Sequence, residues 1–436
     1  MYDLAVIGLG PAGLEICDRA IKNNLKVIAF EKNQIGGTCL NFGCIPTKAI
    51  LHSVNLYKEI INCESCGISA QNIDFSWEKI NERRKSIVEK FNKALYNNLS
   101  KKIEIVSQNA EILLMDEDVL INAQDNIYEA KNIVIATGSI PRELNDLKFN
   151  HENILNSDDL LNLDELPKSM AIIGSGAIGL EWAYILSSLG VDVVVIEKEP
   201  VLAPQFDIDI QKRIERILKE NNIKFVKNAT INSYKDNILK LNSTVNLETD
   251  KILVAIGRQP VLPQLHINYP AVECKIISNE DYTTNLDNVY VTGDASNGIM
   301  LAHSASYQAR IIIDKILNKE SYKFNNIPSI IYLTPEVASV GLKEQDILNK
   351  DEYIIKKSMV SSIAKSWCDE CPNGIVKVII KDNKIKGAHV VSKDASMLIS
   401  IFNILIEKEI DVNEIENMIF PHPCFSELIS GVLNNG

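Results

Sequence analysis

The stretch YDLAVIGLGPAGLE, residues 2–15, is a short apolar run broken by Gly8, Gly10 and Gly13 before a helix-like segment. A second apolar run, KVIAF at 26–30, ends against Glu31. Strand, glycine turn, helix, strand and acid in that order form a dinucleotide-binding fingerprint. The glycines let backbone N–H groups approach a pyrophosphate, the helix N-terminus faces its charge, and the acid accepts from ribose hydroxyls. A single glycine turn of this kind occurs in many folds. Here it recurs. MAIIGSGAIGLEWA at 170–183 supplies Gly174, Gly176 and Gly179, and DVVVIE at 192–197 ends on Glu197. The acid follows the first glycine by 23 residues in both copies. The repeat implies an α/β chain that binds two dinucleotides. In the second copy the Glu197 carboxylate repels a 2′-phosphate, which favours NAD over NADP. Lys198 is the nearest cation, with no arginine pair for that phosphate. Ala183, where NAD sites often carry glycine, points the other way and weighs less than the charge.

At 436 residues and 46% hydrophobic, the chain has material for two to four cored domains of ~100–200 residues each. The net charge of −12, without a Lys/Arg run, argues against a nucleic-acid partner, which needs phosphate neutralisation. Met1 leads straight into the first strand-like run, and no apolar stretch reaches the ~18 residues of a membrane span. The expectation is a soluble cytoplasmic protein without membrane contact. Nine cysteines, odd in number and irregularly spaced, do not form a secreted disulfide framework.

Two of those cysteines stand five positions apart in GGTCLNFGCIPTKAI, residues 36–50. On a regular helix Cys39 and Cys44 would lie ~140° apart and too distant for a bridge. A bridge therefore requires a distorted loop or helix start, which Gly36, Gly37 and Gly43 allow. Pro46 predicts a helix starting near it and running through TKAILHSVNLYKEII. Cys44 would then sit by that helix's N-terminus, where the dipole lowers a thiol pKa. Such a pair is catalytic, metal-binding or simply structural. Near the far end, IFPHPCFSELISG at 419–431 sets His422 between two prolines, with Glu427 close by. A carboxylate can hold an imidazole in one tautomer, as a general base requires; a helix-capping histidine is the plainer alternative. His52, His151, His266, His303 and His389 read as surface or satisfied polar residues.

GGTCLNFGCIPTKA resembles the redox loop of the FAD-dependent pyridine nucleotide–disulfide oxidoreductases, and the resemblance runs through the chain. ATGS at 136–139, VAIGRQP at 254–260, VYVTGDA at 289–295, LAHSASYQA at 301–309 and IPSIIYLTPEVASVG at 327–341 follow the family's order. It implies two Rossmann-like FAD- and NAD-binding domains and a C-terminal α+β dimerisation domain. The FAD domain would span 1–142 and be completed by 263–325. The NAD domain would span 143–262, and 326–436 would form the dimer. Within the family the likeness runs to members that oxidise protein-bound dihydrolipoyl groups with NAD as acceptor. The alternatives are reduction of another small disulfide, or a complex-bound component with weak activity of its own.

The resemblance further implies a Cys39–Cys44 disulfide against the flavin, with electrons passing from dithiol through disulfide and flavin to NAD. Cys39 would be the interchange thiol and Cys44 the thiolate facing the flavin. Lys48 and Glu181 resemble an ion pair near flavin and nicotinamide, and Asp294 would meet the ribitol. FAD contacts are further expected at Lys32, Gly37, Thr38 and Ala110, and at Thr137, Gly138, Leu301 and Ala302. NAD contacts are expected at Ala177, Ile178 and Gly257. His422 and Glu427 resemble the family's acid–base pair, which serves the cysteines of the other subunit in a homodimer. Phe420, Cys424 and Phe425 depart from that motif and make the substrate channel the uncertain part. Cys63–Cys66 and Cys368–Cys371 are CxxC pairs, able in principle to make a zinc site or accessory redox pairs and read here as inert thiols, with no metal expected. Cys17 and Cys274 read as filler. Residues 58–100 read as two helical stretches around a short loop.

Overall fold

The computed structural model describes residues 1–115, 118–124, 126–243, 245–267 and 276–434. Cys274 lies outside them. The chain divides into two compact units. One comprises residues 1–142, 157–165 and 257–323; the other comprises 143–156, 166–256 and 324–436.

In the first unit β1 (Tyr2–Ile7) is central in a five-stranded parallel sheet. It pairs on one side with β2 (Val27–Phe30), Ala5 opposite Ile28, and on the other with Ala130–Ile135. Strands Glu104–Val106 and Val289–Val291 complete the edges. β1 and β2 are nearly continuous apolar runs because both faces of a parallel sheet are covered. Leu4, Ala5, Val6, Ile28 and Ala29 are fully buried. Helix α1 (Pro11–Lys22) connects β1 to β2 and buries Ile16, Cys17 and Ala20. Next come a short helix α2 (Gly37–Asn41), a long helix α3 (Cys44–Ile61) and α4 (Trp77–Leu99). Ser76 caps α4 by accepting from the Lys79 N–H. A four-stranded sheet, Leu265–Ile267, Glu111–Met115, Asp118–Ala123 and Asn126–Tyr128, packs its apolar side against the main sheet.

The second unit repeats the plan. Ser169–Ile173 is central in a parallel sheet ordered Lys224–Val226, Asp192–Ile196, Ser169–Ile173, Lys251–Val254, Ile154–Leu155. The same unit holds a five-stranded antiparallel sheet ordered Ser329–Ile331, Glu336–Gly341, Lys384–Ser392, Ile375–Lys381, Ile354–Met359. Helices Ala395–Glu407 and Glu427–Asn434 cover it around Phe402, Leu398, Leu428 and Val432. Among the described residues no helix is long and apolar enough to cross a membrane.

Where helix Ile208–Glu220 of this unit meets the antiparallel sheet lies a buried charge cluster that the sequence reading did not anticipate. Lys377 is fully buried, its Nζ 2.7 Å from Asp207 Oδ1, 2.7 Å from Glu344 Oε2 and 3.0 Å from Asp209 Oδ2. Burial alone would lower the Lys377 pKa; the three acids reverse that and hold it above the ordinary lysine value. His389, read as a surface or satisfied polar residue, is fully buried and satisfied, Nε2 bonding the Leu342 carbonyl and Nδ1 the Ser339 hydroxyl.

Candidate active site

The two glycine turns adopt one geometry. Gly8 and Gly174 have φ of +98° and +101°, and a Cβ there would meet the carbonyl oxygens of Ala136 and Ala255 at 2.4 and 2.5 Å. Only glycine brings the turn that close to the neighbouring strand's end. Gly10 and Gly176 then cap their helices, and Gly13 and Gly179 fall in the first turn. Nothing stands within 4 Å of where a Gly176 Cβ would be, so the helix N-terminus, with Ala177 and Ile178 as its first residues, is open to an anion. The acids repeat as well. Glu31 accepts from the Leu9 N–H (2.8 Å) and the Asn33 N–H (2.9 Å). Glu197 accepts from the Ser175 N–H (2.9 Å) and hydroxyl, and from the Glu199 N–H (3.0 Å). Each carboxylate keeps lone pairs for a ribose. Lys32 and Lys198 are exposed beside them.

The redox loop comes directly against the first turn. Gly37 has φ +57°, and a Cβ on it would lie 2.8 Å from Gly10 Cα. Cys39 falls within α2, and Cys44 is the first residue of α3. That helix begins two residues earlier than Pro46 suggests; proline needs no N–H partner in a first turn. Cys44 is exposed, and its sulfur lies within hydrogen-bond reach of Cys39. The Cys39 thiol hydrogen-bonds the Cys44 sulfur and is largely buried, which together push its pKa far up, against the pull of the Cys44 N–H and of Lys48. Cys39 also lines a cleft of about 410 Å³ walled by Leu14, Ile21, Leu40, Ile45, Leu95 and Leu99, with Glu15, Asp18 and Lys102 at its polar places. Glu15 pairs with Arg19 and Arg310, and Asp18 with Lys22.

Asp294 sits in a 3-10 turn, Gly293–Ser296, that Gln308 holds by accepting the Gly293 N–H at 2.8 Å. Its Oδ2 accepts the Ser139 hydroxyl at 2.5 Å, and Arg258 donates to Ser139 Oγ and carbonyl, each at 2.8 Å. Ser139 and Arg258 lie in the quoted ATGS and VAIGRQP motifs but were not among the expected site residues. Thr137 donates to the Val261 carbonyl, and Gly138 stands clear of neighbours at φ +73°. Gly257 is equally clear at φ +105°. Leu301 and Ala302 begin the helix Ala302–Ile316. Ala110 is buried in the apolar layer under the main sheet.

In the second unit Glu181 is 5% exposed, and its Oε1 accepts the Tyr332 N–H at 3.1 Å. His422 Nδ1 lies 3.0 Å from Glu427 Oε2. His422 itself is open to solvent, its side chain 71% exposed. The hydrogen bond from His422, with that from the Cys424 N–H, holds the Glu427 carboxyl below its usual pKa. The three departures in this motif have different surroundings. Phe425 is 4% exposed in the core of the antiparallel half, and Phe420 packs against the same cluster. Both pack the histidine segment onto that core. Cys424 is half-exposed, its thiol pKa lowered first by the Ser426 hydroxyl and then by local N–H groups. Cys63 and Cys66 occupy an exposed 3-10 turn in the first unit; in the second, Cys368 ends a short helix and Cys371 follows it. Among the described residues no group of three His, Cys, Asp or Glu is placed to hold a metal.

Doubled glycine turns and a dithiol loop packed on the first of them define a dinucleotide-dependent disulfide oxidoreductase. Residues 2–309 match the family described as pyridine nucleotide-disulphide oxidoreductase, and residues 327–432 match its dimerisation domain. The chain belongs to that family, whose members use FAD and NAD(H). It is 32% identical to a dihydrolipoyl dehydrogenase of Mycoplasma pneumoniae, covering 99% of this chain and 97% of the relative. A dihydrolipoyl dehydrogenase of Bacillus subtilis is also 32% identical, covering 98% and 96%. Among solved structures, LpdA from Mycobacterium tuberculosis superposes with a TM-score of 0.88 at 23% identity, covering 99% and 98%. The HOCl-induced flavoprotein disulfide reductase RclA from Escherichia coli, as its Cu(II) complex, gives 0.86 at 24% identity over 98% and 99%. At those identities the likeness concerns the fold.

Proposed function

We propose that this chain is a dihydrolipoyl dehydrogenase, oxidising a protein-bound dihydrolipoyl group to lipoyl with NAD reduced to NADH. The observation that carries the reading is the Cys39–Cys44 pair beside an apolar cleft. The cleft's leucines and isoleucines suit an uncharged acyl chain. The full-length likeness to dihydrolipoyl dehydrogenases supports the same substrate.

The FAD domain is assigned to 1–142 with 263–325, the NAD domain to 143–262 and the dimerisation domain to 326–436. The cradle of Gly8, Gly10, Gly13 and Glu31, with Lys32, Gly37, Thr38, Lys48 and Ala110, would hold FAD. Thr137, Gly138, Asp294, Leu301 and Ala302 would complete that site. Gly174, Gly176, Ala177, Ile178, Gly179, Glu197 and Gly257 would hold NAD. FAD held there would supply two-electron transfer between the dithiol and NAD.

The chain's own part is thiol–disulfide exchange. A substrate thiolate attacks Cys39 Sγ of the disulfide, and the S–S bond breaks to leave Cys44 as thiolate at a helix N-terminus. The second substrate thiol attacks the substrate sulfur of the mixed disulfide, closing lipoyl and returning the electron pair to Cys39. His422 takes the protons that these steps release, and Glu427 keeps its Nδ1 side occupied so that Nε2 faces the sulfur. Within a homodimer His422 would serve the cysteines of the second copy. Lys48 supplies positive charge beside the pair, and Glu181 is assigned to the nicotinamide side. Cytoplasmic location fits nine irregularly spaced cysteines that make no secreted disulfide framework.

The test is purified, FAD-loaded protein mixed with dihydrolipoamide and NAD, then NADP. Rapid NADH formation supports the reading. Reduction of the disulfide by NADH without oxidation of dihydrolipoamide points to a different small disulfide as substrate.

A further inference from the structure

Asn41 lies between the two cysteines in sequence and is 4% exposed. Its Nδ2 donates to the carbonyls of Gly37 (2.9 Å) and Ile35 (3.1 Å), with Gln34 O at 3.4 Å. Those carbonyls fix which end of the amide is nitrogen. The Oδ1 must therefore accept, and Asn92 of α4 donates to it at 2.7 Å. From the same helix Arg83 donates to the Ala49 carbonyl of α3 at 2.7 Å. Helix α4 is itself pinned, Trp77 Nε1 donating to Leu163 O at 2.8 Å and Arg84 to Leu161 O at 2.6 Å. One helix thus grips both segments that carry the sulfurs: α2 with Cys39 through Asn41, and α3 with Cys44 through Ala49.

We propose that Asn41, gripped by Asn92, is a positioning residue that sets the reach of Cys39 to Cys44 and so the balance between dithiol and disulfide. The proposal rests on the pair cycling between those states, as the proposed function requires. Two thiols held at a fixed separation have a high effective concentration for each other, and loosening one lowers it. The balance falls accordingly, and a strained or floppy disulfide is more readily reduced.

The experiment equilibrates the full-length, FAD-loaded protein with oxidised and reduced glutathione, without lipoyl substrate or NAD. Each disulfide formed takes two electrons and two protons from Cys39 and Cys44 and converts one oxidised glutathione to two reduced ones. Asn92→Leu is expected to lower the equilibrium constant about tenfold, or about 30 mV for a two-electron couple. Asn41→Ala is expected to lower it further; should that variant not fold, Asn92→Leu decides. Val88→Ala, a core change on α4 that touches neither asparagine's bonds, is expected to reduce stability while leaving the constant unmoved. Parent-like constants in the asparagine variants, or an equal drop in Val88→Ala, overturn the proposal alone. A parent protein that forms no Cys39–Cys44 disulfide overturns it together with the proposed function.

Discussion

Glu427 faces His422 with one oxygen and its own chain with the other: Oε2 lies 3.0 Å from His422 Nδ1, and Oε1 accepts the Cys424 N–H at 2.8 Å. The carboxylate is clamped, so the imidazole inherits a fixed orientation. His422→Ala should slow dihydrolipoamide oxidation by ~10²–10⁴, the usual contribution of a positioned acid–base. Glu427→Gln keeps a hydrogen bond but loses the charge and should cost less than the alanine. Steady-state NADH formation reads both, and a near-parental rate in His422→Ala removes it from the mechanism.

The proposed exchange through Cys39 and Cys44 predicts that both sulfurs are indispensable to one reaction and dispensable to another. Cys39→Ser and Cys44→Ser should each abolish NAD reduction by dihydrolipoamide. Each should retain NADH oxidation by ferricyanide, which needs no thiol. Residual dithiol turnover in either variant would show that the pair is not the route.

What could be read from residue order and what could not follows from range. Gly8 and Gly174 were legible because the turn's steric demand is local: only glycine fits against Ala136 O and Ala255 O. Cys39, Cys44, His422 and Glu427 stand close to their partners in sequence, so spacing alone reveals them. Asn92 was not legible, since an asparagine on a polar helix face says nothing about an amide 51 residues earlier. Lys377 is the extreme case: its acids stand 170, 168 and 33 residues away. At Phe420 and Phe425 the departure from the motif left the substrate channel undefined in residue order. The burial of Phe425 in the core and the packing of Phe420 against it are tertiary facts.

Glu197 is 9% exposed, with its oxygens fixed by Ser175 and Glu199, so it cannot swing away from an added phosphate. Glu197→Ala should erode the preference for NAD over NADP about tenfold or more, as removal of a close like charge does. The ratio of kcat/KM for the two nucleotides measures it, and an unchanged ratio would remove Glu197 from the discrimination.

His389 is buried, and desolvation lowers its pKa from 6.5 to about 4, against the nearby Asp207. A histidine with a depressed folded pKa contributes stability that is present above about 6.5 and lost as pH falls toward 4, because the unfolded chain takes the proton first. Between pH 7 and 5 that loss is roughly 2 kcal/mol. Urea unfolding at the two values should show it, and His389→Gln should flatten the difference.

Replacing Lys377 leaves Asp207 and Glu344 without their buried cation. Lys377→Met should destabilise the protein by ~3–5 kcal/mol, the range for breaking one side of a buried pair. An exposed pair such as Lys22–Asp18 should change stability by no more than ~1 kcal/mol when Lys22 is replaced. Thermal melting of both variants tests the contrast.

The same buried lysine bears on how such a chain can be rearranged over evolutionary time. Asp207 and Asp209 belong to the start of a helix in the second dinucleotide fold, while Lys377 and His389 belong to the antiparallel sheet. A recombination that exchanged the C-terminal sheet alone would deliver a dehydrated ammonium group without its counter-charges. The inheritable module is therefore the nucleotide fold and the sheet travelling together, and successful chimaeras of this family should have their joints outside both.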